Sequence, residues 1–113
     1  MFQDFVIRVA GLYGWKAYHT YDSRKSIPGW PDLVLSKPGY PALIPELKTK
    51  TGVLTPDQVS WVECLRSSTY VLSGVWRPAD QDRIVQALGL TSEEWQFRLA
   101  DHLRIPVDHV NLR

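Results

Sequence analysis

In the stretch PGWPDLVLSKPGYPALIPELK, residues 28 to 48, Asp32 opens one apolar run, and Glu46 and Lys48 sit two residues apart near the end of the next. Side chains on a strand alternate faces, so Ala42, Ile44, Glu46 and Lys48 share one face while Leu43 and Leu47 share the other. Lys37-Pro38-Gly39-Tyr40 carries Pro and Gly where a type II turn needs them. The two runs should therefore fold back as a hairpin or near-hairpin and bring Asp32 beside Glu46, so that two carboxylates and an amine converge. Hard divalent cations such as Mg²⁺ prefer oxygen ligands and usually take one or two protein carboxylates, and a bound ion polarises a phosphoryl oxygen and activates a water. A neighbouring lysine donates to phosphate or supports the attacking water. The reaction class implied is phosphodiester hydrolysis.

The elements needed to hold these groups follow from periodicity. Phe2, Phe5, Val6, Val9, Ala10 and Tyr13 fall at i, i+3, i+4, i+7, i+8 and i+11, an amphipathic helix that Gly14 is placed to close. Trp15 to Tyr21 alternates as a strand, residues 22 to 31 form a loop, and strands follow near 32 to 36 and 42 to 49. Thr55-Pro56-Asp57-Gln58 offers a capping box with Pro at the first helical position, starting a helix that runs to about Arg66. Tyr70 to Trp76 reads as a further strand and Asp80 to Leu88 as a third helix ended by Gly89. Thr91-Ser92-Glu93-Glu94 then starts a last helix with Trp95, Leu99 and Leu103 on one stripe. The class is α/β, in the order α-β-β-β-α-β-α with an extra C-terminal helix.

The residues in this order resemble a known family. Gly29-Trp30-Pro31-Asp32-Leu33 followed by Pro45-Glu46-Leu47-Lys48 is similar to the motif of the PD-(D/E)XK nuclease superfamily, with Asp32 as the Asp and Glu46-Leu47-Lys48 as E-X-K. Gly14-Trp15, His19, Ser23-Arg24, Gln58 and Trp76-Arg77-Pro78 bring the likeness closer to the VRR-NUC branch, including its small standalone phage enzymes, over roughly residues 2 to 88. The resemblance implies a restriction-endonuclease-like core and a metal-dependent DNA endonuclease acting on branched DNA such as four-way (Holliday) junctions, as a homodimer. It also implies that Asp32, Glu46 and the Leu47 backbone carbonyl hold Mg²⁺ or Mn²⁺, that Lys48 supports the nucleophilic water, and that Gln58 positions it. Arg24, Lys25, Lys50 and Arg77 would meet the DNA backbone. Members of this branch commonly carry a further glutamate at the start of the first helix, where this chain reads Met1-Phe2-Gln3-Asp4, with Asp4 or Gln3 to stand in.

Composition sets the outer bounds. A chain of 113 residues with 44% hydrophobic content and five tryptophans suits one packed domain. Residues 89 to 113 are too few for a core of their own, so they are expected to pack on the body or on a second subunit, as a dimerisation extension. The single Cys64 excludes an internal disulfide and reads as inert helix core in a reducing compartment. No stretch has the length and apolarity of a membrane span or signal peptide, so a cytoplasmic protein is expected, and the resemblance implies a bacterial or phage-infected host cell.

The formal charge is only +1, yet residues 16 to 50 carry Lys16, Arg24, Lys25, Lys37, Lys48 and Lys50 against Asp22, Asp32 and Glu46, whereas residues 51 to 113 hold six basic and eight acidic groups. The positive part coincides with the candidate site, as a localised phosphate-binding surface would, although a solvated charged face gives the same pattern. Blander alternatives exist for single residues. Glu46 and Lys48 could form a surface ion pair, Asp32 could cap a turn, Gln58 is accounted for by its cap, His19 by partial burial, and Arg77 by packing beside Trp76. His102 and His109, seven apart with a Pro between, read as surface. Two other functional classes fit the chain: a DNA-junction-binding module with weak or lost catalysis, and a structural α/β domain.

Overall fold

The computed structural model describes residues 1–20 and 27–95. Arg24, Lys25, the histidines at 102 and 109, and the proposed extension past Trp95 lie outside the described residues. The elements are α1 (Phe2–Leu12), β1 (Lys16–His19), β2 (Leu33–Ser36), β3 (Ala42–Leu47), α2 (Pro56–Arg66), β4 (Val71–Trp76), a 3₁₀ turn (Pro78–Asp80) and α3 (Gln81–Leu88). They form a mixed α/β fold around one four-stranded sheet in the order β1-β2-β3-β4. The pairings β1·β2 and β2·β3 are antiparallel, and β3·β4 is parallel. A parallel pair needs a crossover, which α2 provides.

Strand alternation sorts the core into two layers. Leu33, Leu35, Leu43 and Trp76 face Val6 and Ala10 of α1 and Ile84, Ala87 and Leu88 of α3. On the opposite face, Val75 meets Val62 of α2 together with Leu54. Glu46, partnered in register with Val75, sits on this second face, under α2. Trp15 turns into the first layer, where its indole N–H donates to the Leu88 carbonyl at 2.9 Å and closes the end of α3. Trp95 is 1% exposed and packs edge-on to Trp15 at 6.3 Å. The last described residues thus belong to the main core, entered through a capping pair in which Thr91 and Glu94 bond each other's backbone N–H groups.

Most element boundaries match the sequence reading, and the exceptions have local causes. The strand expected from Tyr70 starts at Val71, because Tyr70 has φ +62°, outside extended space. The strand expected from Trp15 starts at Lys16, since Trp15 is drawn into the core. Cys64 is exposed, not core: the inward side of α2 is set by Val59 and Val62, and a residue two positions after Val62 lies about 200° round the helix.

Two Pro-Gly turns flank β2. Tyr40 N–H bonds the Lys37 carbonyl at 3.0 Å with Gly39 at φ +83°, and Trp30 N–H bonds the Ile27 carbonyl at 3.1 Å with Gly29 at φ +85°. Both are type II turns, with Pro and Gly at the positions that demand them. They differ in surroundings. A Cβ on Gly39 would meet nothing within 4 Å, whereas one on Gly29 would lie 2.4 Å from the backbone carbon of Asp57 in the first turn of α2. Trp30 and Trp61 pack edge-on at 5.0 Å beside this contact. We predict that Gly29→Ala loses about 1–3 kcal/mol from combined strain and clash, while Gly39→Ala loses about 1 kcal/mol from strain alone. Urea denaturation of the two variants measures the difference.

Candidate functional site

The pairing of Leu35 with Leu43 fixes the β2·β3 register. Continued down the antiparallel ladder, it sets Asp32 opposite Glu46. The Asp32 carboxylate accepts the Leu47 N–H at 3.0 Å, which anchors the residue just before β2 to the last residue of β3. The hairpin therefore places the two carboxylates side by side at one end of the sheet.

Glu46 is 1% exposed. One carboxyl oxygen accepts the Gln58 amide N–H at 3.0 Å; the other, Oε1, is buried with no hydrogen-bond partner among the described residues. Burial, and then the adjacent charge of Asp32, push its pKa from 4.5 up to about 8, against the opposing pull of Lys48. Either a proton or a cation relieves such a group.

Gln58 joins the helix start to the site. Its Oε1 accepts the Thr55 N–H at 2.9 Å, Thr55 Oγ1 accepts the Gln58 N–H at 3.2 Å, and its Nε2 reaches Glu46. The capping role read from sequence is present, and the other end of the same amide contacts Glu46. Lys48 continues the ladder past β3, its N–H bonding the Trp76 carbonyl at 3.0 Å. Its ammonium makes no ion pair within 4.0 Å of either carboxylate among the described residues. Lys48 instead lines an open cleft of about 740 Å³ with Asp32, Leu47, Thr49 and Lys50, while the far side comes from the start of α1 and the start of α3.

The other expected residues are placed differently. Arg77, expected to meet phosphate, is only 8% exposed, and its guanidinium donates to the Thr49 carbonyl at 2.6 Å and reaches the Lys50 carbonyl at 3.5 Å. It braces from below the loop that carries Lys50, whose own side chain lies on the cleft. At the start of α1, Asp4 is paired with the Met1 amine at 3.1 Å, whereas Gln3 lines the cleft and lies 3.3 Å from Nδ1 of His19. The cleft residues Phe2, Phe5 and Gln81 were not legible as site residues. Their helical spacing marks Phe2 and Phe5 as core, and both also pack against it.

Compared with known protein families, curated proteins and solved structures, the chain matches none. No helix among the described residues is long and apolar enough to cross a membrane.

Whether a divalent ion fits is a question of donors. Among the described residues no three His, Cys, Asp or Glu side chains gather. Two adjacent carboxylates, one with an orphaned buried oxygen, do gather, and a hard ion that keeps most of its water asks for little more. The set suits Mg²⁺ or Mn²⁺.

In the metal-free protein the raised pKa of Glu46 links stability to pH. Between 4.5 and about 8 the folded chain keeps a proton that the unfolded chain has released, so stability is full below this window and falls as pH rises through it. We predict a falling urea midpoint from about pH 5 to about pH 9 in EDTA, a flatter profile with saturating Mg²⁺, and loss of this pH-dependent component in Glu46→Gln.

Proposed function

We propose that the protein is a metal-dependent endonuclease that hydrolyses phosphodiester bonds in DNA, with a preference for branched structures such as four-way junctions. The observation that carries this reading is the buried carboxylate Glu46, held opposite Asp32, which itself lines a cleft with Lys48 and Lys50. The element order, two antiparallel pairings and a parallel crossover to β4 support a restriction-endonuclease-like core. The ordered residues Asp32, Glu46-Leu47-Lys48 and Gln58 support membership of the VRR-NUC branch.

Asp32, Glu46 and the Leu47 carbonyl would hold Mg²⁺ or Mn²⁺, with Gln58 fixing the Glu46 carboxylate. When bound, the ion polarises a phosphoryl oxygen and lowers the pKa of a water. Lys48 orients the attacking water on the cleft wall and offsets negative charge growing on the phosphoryl oxygens. Lys50, and Arg24 and Lys25 beyond the described residues, attract the backbone. Arg77 acts at one remove, by holding the Thr49–Lys50 loop. A second copy of the chain would supply the paired site that a four-way junction requires.

One observation favours a second reading, a junction-binding module with weak or lost catalysis: of the α1 residues on the cleft, Phe2, Gln3 and Phe5, none is a carboxylate. Labelled duplex, flap and four-way junction DNA incubated with Mg²⁺, Mn²⁺ or EDTA separates the two. We expect metal-dependent products, reduced about 10²-fold or more in Lys48→Ala and Glu46→Gln. Junction binding without such products supports the module, and wild-type cutting by both variants would falsify the site assignment. We further predict that Lys50→Ala weakens DNA binding and flattens its salt dependence by about one unit of slope, with the cleavage rate of bound DNA little changed.

A further inference from the structure

We propose that the cleft beside Asp32 admits an unpaired nucleobase, belonging to a nucleotide next to the phosphate that reaches Asp32 and Lys48. The inference rests on the nucleic-acid reading above and names the feature of the substrate that the site selects. The cleft is amphipathic in the way a nucleotide is. Asp32, Lys48 and Lys50 form one wall, suited to a phosphate when a divalent ion neutralises the carboxylate, and Phe2 and Phe5 supply apolar aromatic surface from the first turns of α1. Both phenylalanines are half-buried against the core, so their rings are held in place while part of each remains open to the cleft.

Two amide side chains complete the lining, Gln3 and Gln81. An amide offers both a donor and an acceptor, the complement of a base edge. Gln3 is tethered at 3.3 Å to His19, and Gln81 is the first residue of α3, exposed at the edge of the cleft. A cavity of about 740 Å³ exceeds what a phosphate group alone requires and falls within the range of sites for small organic ligands. A phosphate on its own would gain nothing from aromatic walls, whereas bases stack on such rings. A base within a duplex has both faces stacked and its edge paired, so only an unpaired or extruded base enters. That requirement would direct cutting to those branch points that carry an unpaired or extruded base, such as a flap junction.

The test uses the full chain with Ca²⁺ in place of Mg²⁺ and two DNAs. Each carries one 2-aminopurine, either unpaired at a flap junction or paired within the arm. We expect the unpaired probe to change fluorescence on binding and to bind about tenfold more tightly than the paired one. Phe5→Leu, which keeps an aliphatic side chain against the core but removes the ring, and Gln81→Ala, at an exposed position, should each reduce that preference severalfold. Equal binding of the two probes without a fluorescence change, or an undiminished preference in both variants, overturns the proposal. Its failure is separable from that of the nuclease reading: Mg²⁺-dependent cutting with no preference for unpaired bases removes only the base site. A retained fluorescence preference without cutting removes only the hydrolase.

Discussion

Keeping the carboxyl of Glu46 out of water is the constraint around which the rest of this structure is arranged. An ionised carboxylate at 1% exposure is among the costliest groups a domain of this size can enclose. What surrounds it neutralises that cost only in part: one amide hydrogen from Gln58 on one oxygen, none from the described residues on the other, and a second carboxylate alongside. A core selected for stability alone would place a leucine or methionine there. The fold instead holds Glu46 between two elements locked to each other, with Gly29 packed on the Asp57 backbone and Trp30 against Trp61. The result is a buried carboxyl group that either a proton or a cation would relieve.

The sequence made the hairpin and its contents legible because each step rested on a local rule. Pro38-Gly39 gave the turn, the period of two gave the shared face of Ile44 and Glu46, and Thr55 with Gln58 gave the start of α2. Strand order was less accessible, since the parallel pairing of β3 with β4 joins residues about thirty positions apart and no local rule dictates it. The cap of Gln58 was open to the sequence, whereas its contact with Glu46 was not. Geometry merged them, because the amide has two ends and each has its own partner.

Arg77, for which phosphate contact and packing were both open, and Cys64, which was read as core, share a cause. Arginine near a strand end and a cysteine in a helix were judged by residue type, whereas their roles depend on which way the element faces. Arg77 follows Trp76 inward and spends its guanidinium on the Thr49 and Lys50 carbonyls. Cys64 lies off the narrow apolar stripe of α2. Phe2 and Phe5 were correctly read as inward-facing, but the helix start where they sit is also the rim of a cleft, a distinction that periodicity does not carry.

The Leu35–Leu43 pairing has one more consequence, for how this chain tolerates insertion and deletion. Of the groups gathered at the site, Glu46, Leu47, Lys48 and Gln58 come from one β-α-β unit and keep their mutual positions through changes elsewhere, whereas Asp32 arrives across the hairpin. Loss of a single residue inside β2 would rotate everything preceding it by half a pleat, turning Asp32 toward α1 and bringing an apolar side chain to the place opposite Glu46. The loop at 37–41 is under no such parity rule. Length variation among descendants of this chain should therefore collect in that loop and be purged from the four residues of β2.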